Sequence, residues 1–188
     1  MSGRCETCGG DLTREILENY EDTLMGIPVV LYKSVMQSAC IPCQDIETTI
    51  PNMNGLISAT AVARIKAPIK LRGVEIRFLR KALGVSSKKL AELLGVRDET
   101  VSRWENGKEP IGPTSEKLLR LLVGLELSPH APGIDFDERE IGQMSIKAVQ
   151  SSDKPVVLFL ECVAMRVDRK KREEVWEENE KQLVSASG

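Results

Sequence analysis

Aromatic residues make up only 4% of the 188 positions, and histidine occurs once, at His130. A single imidazole removes most chemistries that need a histidine base or a histidine-bound catalytic metal. No run approaches the ~20 apolar residues that span a bilayer. The first eight residues hold two cysteines and no apolar stretch follows, so neither a membrane anchor nor a secretory leader is expected. The expected compartment is a reducing cytoplasm. Five cysteines there argue for metal or redox use rather than a disulfide framework. With 41% apolar and 29% charged residues, the chain is globular rather than disordered, and long enough for one medium domain or two small ones.

The net charge of −2 conceals an uneven distribution. Residues 1–61 carry −5, residues 62–127 carry +6 and residues 128–188 carry −3. A basic middle between acidic flanks suits a polyanion-binding core with other tasks at its ends. Chance distribution gives swings of the same size, so motifs must decide.

Cys5-Glu6-Thr7-Cys8 is followed by Gly9-Gly10, and Cys40-Ile41-Pro42-Cys43 follows after 31 intervening residues. A two-residue spacer in a tight turn lets both sulfurs face one ion, so two such pairs suit a tetrahedral zinc site. Glycine after the second cysteine permits φ > 0. Four thiolates leave no open position, so the expected cofactor is one structural zinc ion. A redox C-x-x-C needs a βαβ context and a helix beginning at its first cysteine, and neither is present. Arg14–Thr23 and Val29–Met36 read as strands joined through Met25-Gly26-Ile27-Pro28. A hairpin there brings the cysteine pairs together. Cys162, in the apolar run Val156–Ala164, reads as a buried small hydrophobe.

Residues 73–127 read as four helices. Ile76, Leu79 and Leu83 line the first, which Gly84 ends. Ser86 caps the second, with Leu90, Leu93 and Leu94 inward, and Gly95 closes it. The third carries Val101 and Trp104 on its buried face and ends at Gly107. Gly112-Pro113 opens the fourth, with Leu118, Leu119, Leu121 and Leu122 as its stripe.

The run Leu90-Ala91-Glu92-Leu93-Leu94-Gly95-Val96, then Thr100-Val101-Ser102-Arg103-Trp104-Glu105-Asn106-Gly107, resembles the Cro/phage-repressor (XRE) helix-turn-helix family. The resemblance implies that the third helix enters the DNA major groove. Asp98, Glu99, Ser102 and Arg103 then face outward. Arg103 is the base-reading candidate, since a guanidinium fork bonds guanine O6 and N7 together. Arg97 precedes the helix within reach of a phosphate or base, and Asn106 matches a phosphate-contact position. Arg80 and Glu105 match an ion pair that is architecture rather than readout. Two departures stand out. Ser87 replaces the family's usual glutamine, and Asp98 and Glu99 put carboxylates at reading positions, where they repel phosphate but accept from cytosine N4. Lys70, Arg72, Arg77, Lys88, Lys89 and Lys108 are the expected sources of phosphate attraction. One such domain offers a small interface, so a two-fold homodimer on a palindromic operator is expected.

The order of the two modules resembles the MqsA (YgiT-type) zinc-finger antitoxins over residues 1–127. That resemblance implies an acidic zinc module that binds a toxin, usually a ribonuclease, and a second module that dimerises and represses its own operon. Glu15, Glu18, Glu21 and Asp22 are candidate toxin contacts, or simply a solvated strand face.

The expected fold class is α+β: a zinc-bound hairpin module (1–55), a linker helix or connector (56–69), an all-α helix-turn-helix domain (70–128) and a small strand-plus-helix extension (134–188). Within the extension, Pro129, Pro132 and Gly133 mark a linker, Lys154–Val167 reads as strand, and Asp168–Leu183 reads as a charged helix with Lys170 and Glu174 paired at i,i+4. Val175 and Trp176 give that helix a narrow apolar face. The extension is either packing or partner-binding surface. Two functions stand: a type II antitoxin that neutralises an mRNA-cleaving toxin and represses its operon, or a stand-alone transcriptional regulator with a structural or sensing zinc site. No catalytic constellation is visible, so no enzyme is expected.

Overall fold

A computed structural model describes residues 3–148, 153–168 and 171–179. It opens with a long hairpin of β1 (Leu12–Leu24) and β2 (Ile27–Cys40), antiparallel and turned by Met25-Gly26. Both turn residues take positive φ, 48° and 97°, as a two-residue hairpin turn requires. A bulge interrupts the register: Leu17 faces Val35 and Asn19 faces Tyr32, with Lys33 at φ 46°.

Strand β2 is paired along both edges. β1 holds one. The other is shared by β4 (Leu158–Asp168), parallel to Val29–Tyr32, and the short β3 (Ile46–Thr49), antiparallel to Met36–Ala39. β5 (Lys171–Glu178) pairs antiparallel with β4 and completes the sheet. The first and last of the described strands therefore belong to one mixed sheet.

The helices run α1 (Met53–Lys66), α2 (Gly73–Ala82), α3 (Ser87–Leu94), α4 (Asp98–Glu105), α5 (Pro113–Leu127) and α6 (Glu138–Gln143). Helix α1 is buried on nearly every side from Leu56 to Ile65. A helix without a polar face must lie inside, and α1 packs on α2, α5, β4 and β5. One apolar core runs from Ile27, Val29 and Leu31 of β2 through α1 to Phe78, Leu90, Val101 and Leu119 of the helical region.

The architecture is α+β, with the cysteine hairpin first, the helices next, and both a helix and strands in the extension. Four details depart from the sequence reading. Lys171–Glu178 is strand, not helix: Trp176 and Val175 are buried, and Trp176 Nε1 donates to the Asn52 carbonyl at 3.2 Å. Packing on the start of α1 overrides the helical propensity of a Glu/Lys-rich segment. Residues 169–170 and 180–183 of the expected helix lie outside the described residues. Residues 128–134 are no loose linker. A 3₁₀ turn covers Ser128–His130, Ala131 and Ile134 are buried, and a Cβ on Gly133 would stand 2.5 Å from the Trp176 carbonyl. The inward stripe of α5 is Glu116, Leu119, Arg120, Val123 and Leu127, while Leu118 is exposed. Leu93 of α3 likewise faces out, 41% exposed.

Candidate nucleic-acid interface and metal centre

The cysteine pairs fold into two matching turns. The Gly9 N–H donates to the Cys5 carbonyl at 2.8 Å, and the Gln44 N–H donates to the Cys40 carbonyl at 3.0 Å. Gly9 has φ 72°, and Gln44 adopts φ 61° in the equivalent place. The sequence flagged the glycine; glutamine at the second turn carries no such signal. Thr7 Oγ1 donates to Asp45 Oδ2 at 2.8 Å and clasps one turn to the other. The register Leu12–Cys40 brings the turns face to face.

All four sulfurs lie within 4.8 Å of one another. Cys5 Sγ is 3.5 Å from Cys43 Sγ, and Cys8 Sγ is 3.4 Å from Cys40 Sγ. A tetrahedron with metal–sulfur bonds of about 2.3 Å has edges of about 3.8 Å, so this donor set fits a zinc-type ion after small adjustment. Cys5 and Cys40 are buried, Cys8 and Cys43 exposed. The backbone N–H of Cys8, opposed by burial and helped by Thr7 and the neighbouring thiols, lowers the Cys5 pKa to about 7, whereas Cys40, despite the Cys43 backbone N–H, is pushed up to about 12 by burial and the neighbouring thiols. Cys162 is half-buried on β4, and burial, then Glu174, pushes its thiol up to about 11.

In the helical region, Gly84, Gly95 and Gly107 take φ near +66°, ending three successive helices where a Cβ would be strained. Ser86 Oγ caps α3 by accepting from the Lys89 N–H at 3.1 Å. Helix α4 is buried through Val101, Trp104 and Glu105 and otherwise exposed. Asp98, Glu99, Ser102 and Arg103 lie on its exposed side; Arg97 is its N-cap, and Lys88 and Lys108 are exposed nearby. Ser87, in the first turn of α3, is half-buried. Arg103 is 63% exposed, with only a 3.9 Å approach to Glu109.

Two details recast the acidic positions and the cations. Asp98 Oδ1 accepts the Glu99 N–H at 3.1 Å, and both carboxylates sit in the first turn of α4. There they stabilise the helix's positive end, a role independent of base reading. Asn106 is turned back onto its own helix: Nδ2 donates to the Ser102 carbonyl at 2.8 Å, and Oδ1 accepts from Arg77 at 2.8 Å. Lys70 and Arg72 are also committed internally, to the carbonyls of Ile111 and of Asp153 and Lys154. Lys88, Lys89, Arg97, Arg103 and Lys108 are the exposed cations of this face.

Arg80 and Glu105 form a two-pronged pair at 2.5 and 3.0 Å, and Arg80 also donates to the Val85 carbonyl. Glu105 raises the Arg80 pKa further. The pair fastens the end of α4 to α2. Gly73 makes the same joint closer: a Cβ there would stand 2.5 Å from the Trp104 carbonyl and 2.8 Å from that of Glu105.

The sequence reading missed a second polar device. Arg64 and Arg120 are wholly buried. Arg64 meets Glu75 at 2.7 and 2.8 Å, and Arg120 meets Glu116 at 2.8 Å. The guanidiniums also bind the carbonyls of Ile65, Ala67, Ile69 and Lys70, while Glu116 and Glu75 accept the N–H groups of Leu71 and Arg72. The connector between α1 and α2 is thereby locked from both sides. Burial lowers the Arg120 pKa, and Glu116 opposes that shift. The available signal was arginine at two positions of otherwise apolar helical faces.

Residues 76–130 match the protein family described as Helix-turn-helix. The segment is a DNA-binding helix-turn-helix of the transcription-regulator type. The match spans α2 to α5 and the 3₁₀ turn after them, and includes Arg103 and the Arg80–Glu105 pair. A search of the curated proteins found no match to the chain. Among the described residues, no helix is long and apolar enough to cross a membrane.

Proposed function

We propose that the protein is a type II antitoxin: it binds and neutralises an mRNA-cleaving toxin and represses its own operon. The observation that carries this reading is the joining of an acidic four-cysteine hairpin to a helix-turn-helix through one shared apolar core. In this reading one structural zinc ion, held by Cys5, Cys8, Cys40 and Cys43, ties the ends of the hairpin and supplies folding energy rather than chemistry. Helix α4 enters the major groove, Arg103 reads a base edge, and Lys88, Arg97 and Lys108 contact phosphate. A homodimer reads a palindromic operator.

The matching RNA-binding surface of a ribonuclease must be cationic, because its substrate is a polyanion. Residues 1–61, at net −5, supply the complementary charge. Binding such a surface blocks access of RNA without any catalytic group from this chain.

Co-expression with the product of the adjacent open reading frame tests the reading. The expected result is growth rescue and a purified complex of the two chains. Failure of the neighbour to arrest growth or to bind removes the antitoxin role. A stand-alone regulator, the competing reading, is then left with the four-thiol site as its sensor. It predicts that metal removal changes operator affinity directly.

A further inference from the structure

Alternation along β2 and β4 sends Val29, Leu31, Leu158 and Leu160 into the core. The residues between them point to the other face of the sheet. Val30 sits beside Phe159 in the parallel register, and Pro28 and Val157 lie next in line. Val157 is 38% exposed, and Pro28, Val30 and Phe159 are half-buried. An outer sheet face is ordinarily polar. These four residues instead floor a groove of about 520 Å³, rimmed on β1 by the exposed carboxylates of Glu21 and Asp22. Further along β1, Glu18 is engaged by Lys33 at 3.3 Å and by the Tyr32 hydroxyl at 2.9 Å, so the charge at the groove comes from Glu21 and Asp22.

We propose that this groove is the docking site for the toxin, and that it takes a cationic segment carrying an apolar side chain at its centre. The inference rests on the antitoxin reading and adds to it the C-terminal extension: Phe159 of β4 and Val157, just ahead of that strand, supply half of the groove's floor. Charge selects the occupant. Nucleic acid is repelled by Glu21 and Asp22. A second copy docking by two-fold symmetry would set one acidic rim against the other. A basic partner meets the rim with opposite charge and covers the apolar floor, which is how a buried centre and a polar rim divide the energy of an interface.

The experiment titrates the full-length, metal-loaded chain with the adjacent-gene product. It compares the wild type with Val157→Asp/Phe159→Asp and with Glu21→Lys/Asp22→Lys, recording thermal midpoint, sedimentation and operator footprint for each. The expected result is at least a tenfold loss of affinity in both double variants, on the scale of a lost interface centre. The charge variant should also show a flatter salt dependence. Its substitutions touch no core residue, so it reports on docking even if the first variant folds poorly. Unchanged affinity of the charge variant, with the wild type binding, overturns the groove and leaves the antitoxin reading standing. A wild type that does not bind at all overturns both. Variants that turn a dimer into a monomer assign the groove to self-association and overturn the proposal.

Discussion

Arg103 and Lys108 are both exposed cations near the end of α4, yet they should behave differently. Arg103 lies exposed on α4 with only a 3.9 Å approach to Glu109, and its fork is suited to two bonds on one guanine. Arg103→Ala should weaken specific binding by about 1–3 kcal/mol and relax preference at one base pair. Lys108 follows the helix end and should act on phosphate alone. Lys108→Ala should weaken binding to every sequence and reduce the salt slope by about one. Footprints and salt titrations on operator and random DNA separate the two; an unchanged footprint removes Arg103 from the reading set. Gly73 matters for a steric reason. Gly73→Ala forces a methyl group against two backbone carbonyls of α4. The helix end must shift, at about 1–3 kcal/mol of overpacking strain. Operator affinity should fall together with the thermal midpoint; a variant as stable and as tight as wild type would refute the contact.

At the level of elements, the connector between α1 and α2 couples hairpin and DNA-binding helices. Two buried ion pairs hold its carbonyls and N–H groups at once. Removing one partner strands the other charge, which costs about 3–5 kcal/mol. Arg120→Met should therefore destabilise the whole chain by that amount in urea unfolding. Arg120→Lys should recover little, since one ammonium cannot serve three carbonyls spread over Ile65, Ala67 and Ile69. If Arg120→Met unfolds at the wild-type urea midpoint, the joint is not what holds α5 to the connector.

Across the whole molecule, the four-cysteine cluster and α4 lie in different parts of the fold. The cysteine turns close the free end of the hairpin, and its other end meets the helical core through Ile27, Val29 and Leu31. In the antitoxin reading, elemental analysis should find one zinc per chain. Chelation should raise hydrogen exchange across Leu12–Leu17 and Val35–Thr49, with little change in the operator footprint. The apolar face of β2 stays in the common core without metal, so the loss stays local. A footprint lost on chelation at unchanged exchange in α2 to α5 would instead favour a sensing site.

The local signals were legible because they depend on neighbours in sequence. The C-x-x-C spacing, the glycine stops at Gly84, Gly95 and Gly107, the Ser86 cap and the hairpin turn each express short-range geometry. The amino-acid order alone therefore determined the four-cysteine cluster and the outline of the helical unit. Long-range pairing decided the rest. Residues 171–178 became strand because β4 offers hydrogen bonds and α1 offers cover for Trp176, neither visible from their own composition. Arg64 and Arg120 could go inside because folding brings Glu75, Glu116 and a string of carbonyls around them. A buried charge is tolerable only with its partners in place, and where those partners stand is a property of the assembled fold.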